Sequence, residues 1–408
     1  MHKWALTSFA ALGAVAEAVQ LVALMWTTLH LTGSASMVGV VNAFAFLPGV
    51  VAGVALRLAF DRGSAIKNLG RTNWVCVGFS LILAVAVSAE LRAEYLVGLF
   101  CASQAVLSIA KLANKSALAR ALRLIVGRQD LPAVQGRISS TTIIGGVVGS
   151  GLSGLLLALV GAAWCFAVAS ALYAASVLLI RALRRYQPTV QEATGPESGP
   201  KSPPSSAVDS ELAEAGSSPA KRDGRRLLML VLLVSIPSSG ALQYITALLP
   251  SYANALVPGS APYYSVLDIA AMLGGILAGV LIGISPRVRR TVQRYALVVS
   301  GMLCLLLVPN WSPVAAAGII AVVSLTITSH VVGMQIATNQ LAPDGQIGRY
   351  MAVRNAGVGL AKAVFSLGAG ILAQLSGVYA AWMVLALFLI AVSIAFSCSP
   401  TWRRFASA

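Results

Sequence analysis

Apolar residues run through this chain in twelve stretches, each about as long as a helix needs to cross a bilayer. The pattern predicts spans at approximately 5–29, 36–59, 73–89, 94–115, 137–160, 163–181, 227–250, 262–284, 295–309, 313–337, 352–376 and 379–398. The breaks at 30–35, 161–162, 310–312 and 377–378 are so short that they force hairpins of adjacent antiparallel helices. The expected fold class is therefore an all-α polytopic membrane protein. One break differs from the rest. Residues 187–224 are rich in Pro, Ser, Gly and Glu and carry no apolar period. Such a segment buries too little surface to offset its chain entropy, so a disordered linker is expected there. It divides the chain into a six-helix half at 1–186 and another at 225–408.

The two halves read as repeats. Gly136-Arg137 opens the fifth span with Gly145 following, and Gly348-Arg349 opens the eleventh with Gly357 following at the same offset. Glycine runs mark the second span of each half: Gly49 and Gly53 in one, and Gly274, Gly275, Gly279 and Gly283 in the other. Glycines at these spacings let helices approach closely in lipid. Two parallel halves of this kind characterise one class of transporter architecture.

Charge then sets the orientation. Of the 29 Lys and Arg, Arg92 is the one that falls in a far-side connection. The other connections hold Arg57, Arg62, Lys67 and Arg71, then Lys115 to Arg128, Arg181 to Arg226, Arg287 to Arg294, and Arg349. Lys3 lies at the N-terminus and Arg403 and Arg404 at the C-terminus. Basic residues resist translocation, so both termini are expected in the cytoplasm and the protein in the plasma (inner) membrane. A mean hydropathy of +0.83, with 58% hydrophobic and 10% charged residues, excludes a soluble domain of this length. The +16 net charge is dealt out loop by loop rather than gathered on a face, so nucleic acid is not an expected partner. Trp4, Trp74 and Trp402 at one set of span ends, with Trp26, Trp164, Trp311 and Trp382 at the other, suggest two interfacial belts. Five scattered cysteines without ligand spacing argue against disulfides and metal. An Ala14-Val15-Ala16 cleavage-like site follows Lys3, but the apolar run continues to Leu29, so the segment is read as the first span.

Polar residues inside the spans are unevenly placed. Glu17 and Gln20 lie in the first, Asn42 in the second, Gln104 and Lys111 in the fourth, and Gln243 in the seventh. Asp268 is in the eighth, His330 in the tenth and Lys362 in the eleventh, whereas the third, sixth, ninth and twelfth carry none in their interiors. A lipid-facing helix must be apolar all round, while one lining a wet cavity can hold polar groups. The period of three separates eight cavity helices from four peripheral ones.

With these features the sequence resembles the major facilitator superfamily over essentially its whole length, and within it the twelve-helix exporters related to macrolide-efflux and enterobactin-export proteins. The tract LTGSASMVGVVNAFAFLPGVVAG is similar to that group's Thr-Gly-Ser, glycine and Leu-Pro pattern. Ala59-Phe60-Asp61-Arg62 matches the Asp-Arg core of the family's loop motif, with Arg57 where the family has glycine. Gly145, Gly149, Ser150 and Gly154 resemble the family's antiporter signature, with Ser150 in place of its central proline. The resemblance implies alternating access, peripheral third, sixth, ninth and twelfth helices, and a gating role for Asp61 and Arg62.

Glu17 is the sharpest candidate. It sits mid-span, where an ionised carboxylate costs several kcal/mol unless it is paired, protonated or wetted. The readings are a proton-coupling acid or a carboxylate held by a neighbouring helix. Gln20, one turn along, could orient Glu17 or a substrate. Asp268 and Lys362 could bind ions or substrate, and Lys111 could snorkel to its helix end. Gln104 and Gln243 are candidate cavity hydrogen-bonders, Gln243 following Pro237, where the seventh span should bend. His330 titrates in a useful range but could equally be a packing residue. No phosphate-cradling loop occurs, and His2, His30 and His330 are dispersed without an HExxH or Gly-x-Ser-x-Gly pattern. An ATP-driven pump and an enzyme are accordingly not expected. The expected function is proton-antiport export of small organic molecules, with drugs and self-made metabolites such as siderophores undivided. An importer and a transport-dead sensor or assembly partner remain as alternatives. Expected partners are substrate, protons and the bilayer, with no cofactor and a monomer.

Overall fold

The computed structural model describes residues 2–55, 64–126, 130–184, 219–284, 286–309, 311–341 and 347–398. These form thirteen helices. The first half holds α1 (His2–Thr32), α2 (Ala35–Phe44), α3 (Leu47–Ala55), α4 (Ala65–Ser88), α5 (Ala93–Ile125), α6 (Leu131–Leu159) and α7 (Ala162–Arg184). The second holds α8 (Pro219–Leu256), α9 (Ala261–Ile284), α10 (Pro286–Leu305), α11 (Pro313–Leu341), α12 (Ile347–Ser376) and α13 (Val378–Ser397). Eleven spans are long and apolar enough to cross a membrane, and a shorter apolar helix, Thr291–Leu305, occupies the ninth place. In α10 the first turns carry four arginines, so its apolar part is short.

The second expected span is two helices rather than one. The backbone turns at Ala45 and Phe46, and Leu47-Pro48 opens α3, because proline is tolerated in a first helical turn but not in a helix interior. The third span begins at Ala65, well before the expected residue 73. Its first turns carry Lys67, Asn68, Arg71 and Asn73, so hydropathy understates its length. Most of the linker expected at 187–224 lies outside the described residues, and α8 begins at Pro219 within that range. The far-side hairpins close as short loops require. Gly33, at φ 58°, ends α1 with a left-handed residue, and Ser34 then caps α2 by accepting from the Met37 amide at 3.3 Å.

The repeat is visible in the packing. In the first half α6 lies along α1, and in the second α12 lies along α8. Gly145 meets Ala11 and Ala14 of α1, while its counterpart Gly357 meets Ile236 of α8. Two expected belt residues depart from that reading. Trp26 is buried and stacks on Tyr264, and Trp382 is fully buried against Tyr252. Trp4, Trp74, Trp164 and Trp311 are exposed, as an interfacial residue should be.

The halves meet mainly on the side away from the chain ends. One large apolar cluster draws on both halves, running from Val19–Trp26 through Phe166, Tyr264 and Leu267 to Ala369 and Trp382. On the terminus side, the cluster around Leu6, Leu69, Ala121 and Ile180 belongs to the first half alone. The helices α5 and α11 each make extensive contacts only within their own half. The molecule is therefore closed on the far side, with a cleft between the halves toward the terminus side.

Candidate functional site

Helix α6 stands between α1 and α9 and shows each a different row of small residues. Gly145 and Gly149 face α1. A Cβ on Gly149 would lie 2.5 Å from the Val15 carbonyl oxygen and 2.8 Å from the Ala18 Cβ, so only glycine permits this approach. Gly146, Ser150 and Gly154 face α9 in the other half, meeting Met272, Asp268 and Ser265. The glycine motif is thus the joint where the first half bears on the second.

At that joint Ser150 donates to the Asp268 carboxylate at 2.6 Å, with both residues buried. Two further bonds join the halves along α2 and α12. The Ala35 amide donates to Gln374 Oε1 at 2.9 Å, and Ser366 Oγ donates to the Gly39 carbonyl at 3.2 Å. The backbones of Gly39 and Gly370 come close enough that a Cβ on either would clash.

Toward the cleft, Lys111 of α5 pairs with Glu17 of α1 at 2.9 Å. The Glu17 side chain is 49% exposed and that of Lys111 32%. Helix α1 is ringed by α2, α5, α6, α7, α8 and α9, so this exposure opens onto a gap between helices and not onto lipid. Across the gap, Lys362 of α12 is half-buried with its Nζ 5.2 Å from the centre of the Phe46 ring. Lys115 lies one turn beyond Lys111 on α5. Among the described residues Lys362 has no carboxylate partner, and Glu17 is the one acid in this group. The cleft therefore carries three lysines against one carboxylate.

The other sequence candidates are placed apart from it. Gln20 is buried and accepts from Ser80 of α4 at 3.1 Å, whereas Glu17 is partly exposed and pairs with Lys111 of α5. Gln104, Gln243 and His330 are buried. Asp268 belongs to the joint between the halves. Asp61 and Arg62 lie outside the described residues. Among those that are described, no group of side chains could hold a metal ion.

Two features escaped sequence reasoning. Arg354 is buried, with its guanidinium donating to Ser235 Oγ and the Val331 carbonyl at 3.4 Å each. It lies just inside the expected start of the eleventh span and was not singled out as a candidate. The second is a ladder on the third span. Thr72 donates to Asn114 at 2.9 Å, Asn114 to Asn73 at 2.8 Å, and Asn73 to Ser176 at 2.6 Å, tying α4, α5 and α7 together. Starting that span at residue 73 hid its polar interior.

Comparison with known proteins agrees with this architecture. The family model described as Major Facilitator Superfamily matches residues 4–361. Comparison with curated proteins returned no match. Among solved structures, the nucleoside transporter NupG is similar at 14% identity and a TM-score of 0.68, covering 97% of this chain and 98% of that one. A POT family transporter in complex with 5-aminolevulinic acid is similar at 11% identity and 0.67, covering 98% and 96%. The inward open xylose transporter XylE from E. coli is similar at 11% and 0.68, covering 97% and 96%.

Proposed function

Because the chain belongs to the major facilitator superfamily, and so is a multi-pass secondary transporter, we propose that it exports small organic molecules in exchange for protons. The observation that carries the reading is the Glu17–Lys111 ion pair of α1 and α5, with the uncompensated Lys362 on α12 of the other half. When Glu17 is ionised it neutralises Lys111. When it takes a proton, Lys111 regains its full charge and repels the lysine across the gap, which favours the shape open on the terminus side. A substrate bearing an anionic group does the reverse. By neutralising Lys362 and Lys115 it lets the terminus side close and carries the molecule to the far side. Proton and substrate thus drive opposite swings, which is antiport. The exporter resemblance of the Thr-Gly-Ser tract and of the glycine row on α6 supports the outward direction for substrate. With both termini cytoplasmic, as the basic loops support, the cleft faces the cytoplasm.

The test uses proteoliposomes preloaded with a panel of labelled organic anions, cations and neutral isosteres. Acidification of the outer medium should accelerate efflux of at least one anion through the wild type, with its neutral amide analogue left behind. Efflux confined to cations would contradict the charge argument. If no solute in the panel moves, the sensor or assembly-partner reading is favoured instead.

A further inference from the structure

A second basic site lies on the opposite face of the first half, away from the cleft. Helices α4 and α7 pack on one another at the periphery, and on the terminus side a cavity of about 260 Å³ opens between them. Lys67, Arg71 and Trp74 line it from α4, and Arg181 lines it from α7 over a floor of Val177 and Ile180. The spacing of Lys67, Arg71 and Trp74 stacks them on one face of α4. All three cations are exposed, and among the described residues none has a carboxylate partner. Arg181 lies over the Trp74 ring at 5.4 Å from its centre, which holds its guanidinium at the mouth of the cavity.

What adjoins the cavity indicates the ligand. From Trp74 the exposed apolar residues Val75, Leu81, Ile82 and Val85 continue along α4, with exposed Leu178 beside them on α7. A pocket with three positive charges and an interfacial tryptophan at the head of an apolar stripe has the shape of one phospholipid. The charges suit a phosphate, and the stripe suits the acyl chains. A free phosphate would use the first and leave the second bare. Basic pockets between membrane helices of this kind recognise anionic lipid headgroups.

We propose that the cleft between α4 and α7 binds an anionic phospholipid, its phosphate held by Lys67, Arg71 and Arg181 and its chains laid along the stripe from Trp74 to Val85. The site is independent of the transport reading and stands whatever the cargo is. An occupant there would brace α4 against α7, the pair that also carries the Asn73–Ser176 bond.

The test is lipid titration of the purified full-length protein by native mass spectrometry, with short-chain phosphatidylglycerol, short-chain phosphatidylcholine and inorganic phosphate as probes. Wild type should bind phosphatidylglycerol far more tightly than phosphatidylcholine. Each of Lys67→Gln, Arg71→Gln and Arg181→Gln should weaken it by about five-fold. Arg294→Gln removes an exposed cation elsewhere, against Tyr295, and should change nothing, which separates this site from the general basicity of the protein. Equal affinity in the triple variant and the wild type would overturn the assignment. So would displacement of the lipid by millimolar phosphate, which would make this a free-anion site.

Discussion

Glu17 and Lys111 are far apart in sequence and meet only because α1 and α5 cross in the first half. Their pair is partly exposed to the cleft, so its contribution to stability should be modest, about 1 kcal/mol. Glu17→Gln and Lys111→Gln should each lower thermal stability slightly, and the double variant should lose less than the sum. Additive losses in that double-mutant cycle would mean the two groups do not interact. Ser150→Ala should act differently, since it removes the donor to a buried carboxylate. That penalty, about 1–3 kcal/mol, falls on the shape closed at the far side, where the bond is made. A cysteine at Tyr263 should become more reactive toward an impermeant thiol reagent in the Ser150→Ala background. Unchanged reactivity would show that the bond does not latch the halves. That Glu17 is the mid-span acid was legible from hydropathy alone. That Gln20 meets Ser80 while Glu17 meets Lys111 was not, because positions three apart share a side of the helix and only the surrounding helices say what each meets.

Among elements, α6 shows most plainly how sequence becomes architecture. Its glycines were readable as a close-packing signal, but a linear motif cannot say that alternate members face different halves. The structure predicts unequal consequences along the chain. Gly149→Ala drives a methyl into the α1 backbone, where nothing can yield cheaply, and should cost about 1–3 kcal/mol. Gly279→Ala, whose Cβ position meets nothing within 4 Å, should stay within about 0.5 kcal/mol of wild type. Melting of the two purified variants in detergent decides it, and equal losses would contradict the packing described. Helix α4 shows the opposite limit of hydropathy. Its first turns are polar because they carry the cavity against α7 and the asparagine ladder, so a search for apolar runs begins the helix too late.

At the scale of the molecule, the twelve-span pattern and the division into halves were legible because lipid imposes length and apolarity on every span. The state of the cleft was not, since a sequence that alternates between two shapes must encode both. The basic loops support the proposal that both termini are cytoplasmic. Single cysteines at Ser34 and Pro258 should react with an impermeant reagent from outside cells, and those at Ser64 and Ser205 only after permeabilisation, with reversed labelling overturning the assignment. The central claim is that protonation of Glu17 biases the swing of the two halves, and it can be measured without knowing the cargo. Spin labels at Ser140 and Val280 report the terminus side of the α6–α9 joint, and labels at Leu159 and Pro258 its far side. In liposomes, lowering the pH should lengthen the first distance and shorten the second in the wild type. Glu17→Gln, which holds the site uncharged, should show the acid distribution at every pH. An unaltered pH response in Glu17→Gln would contradict the account.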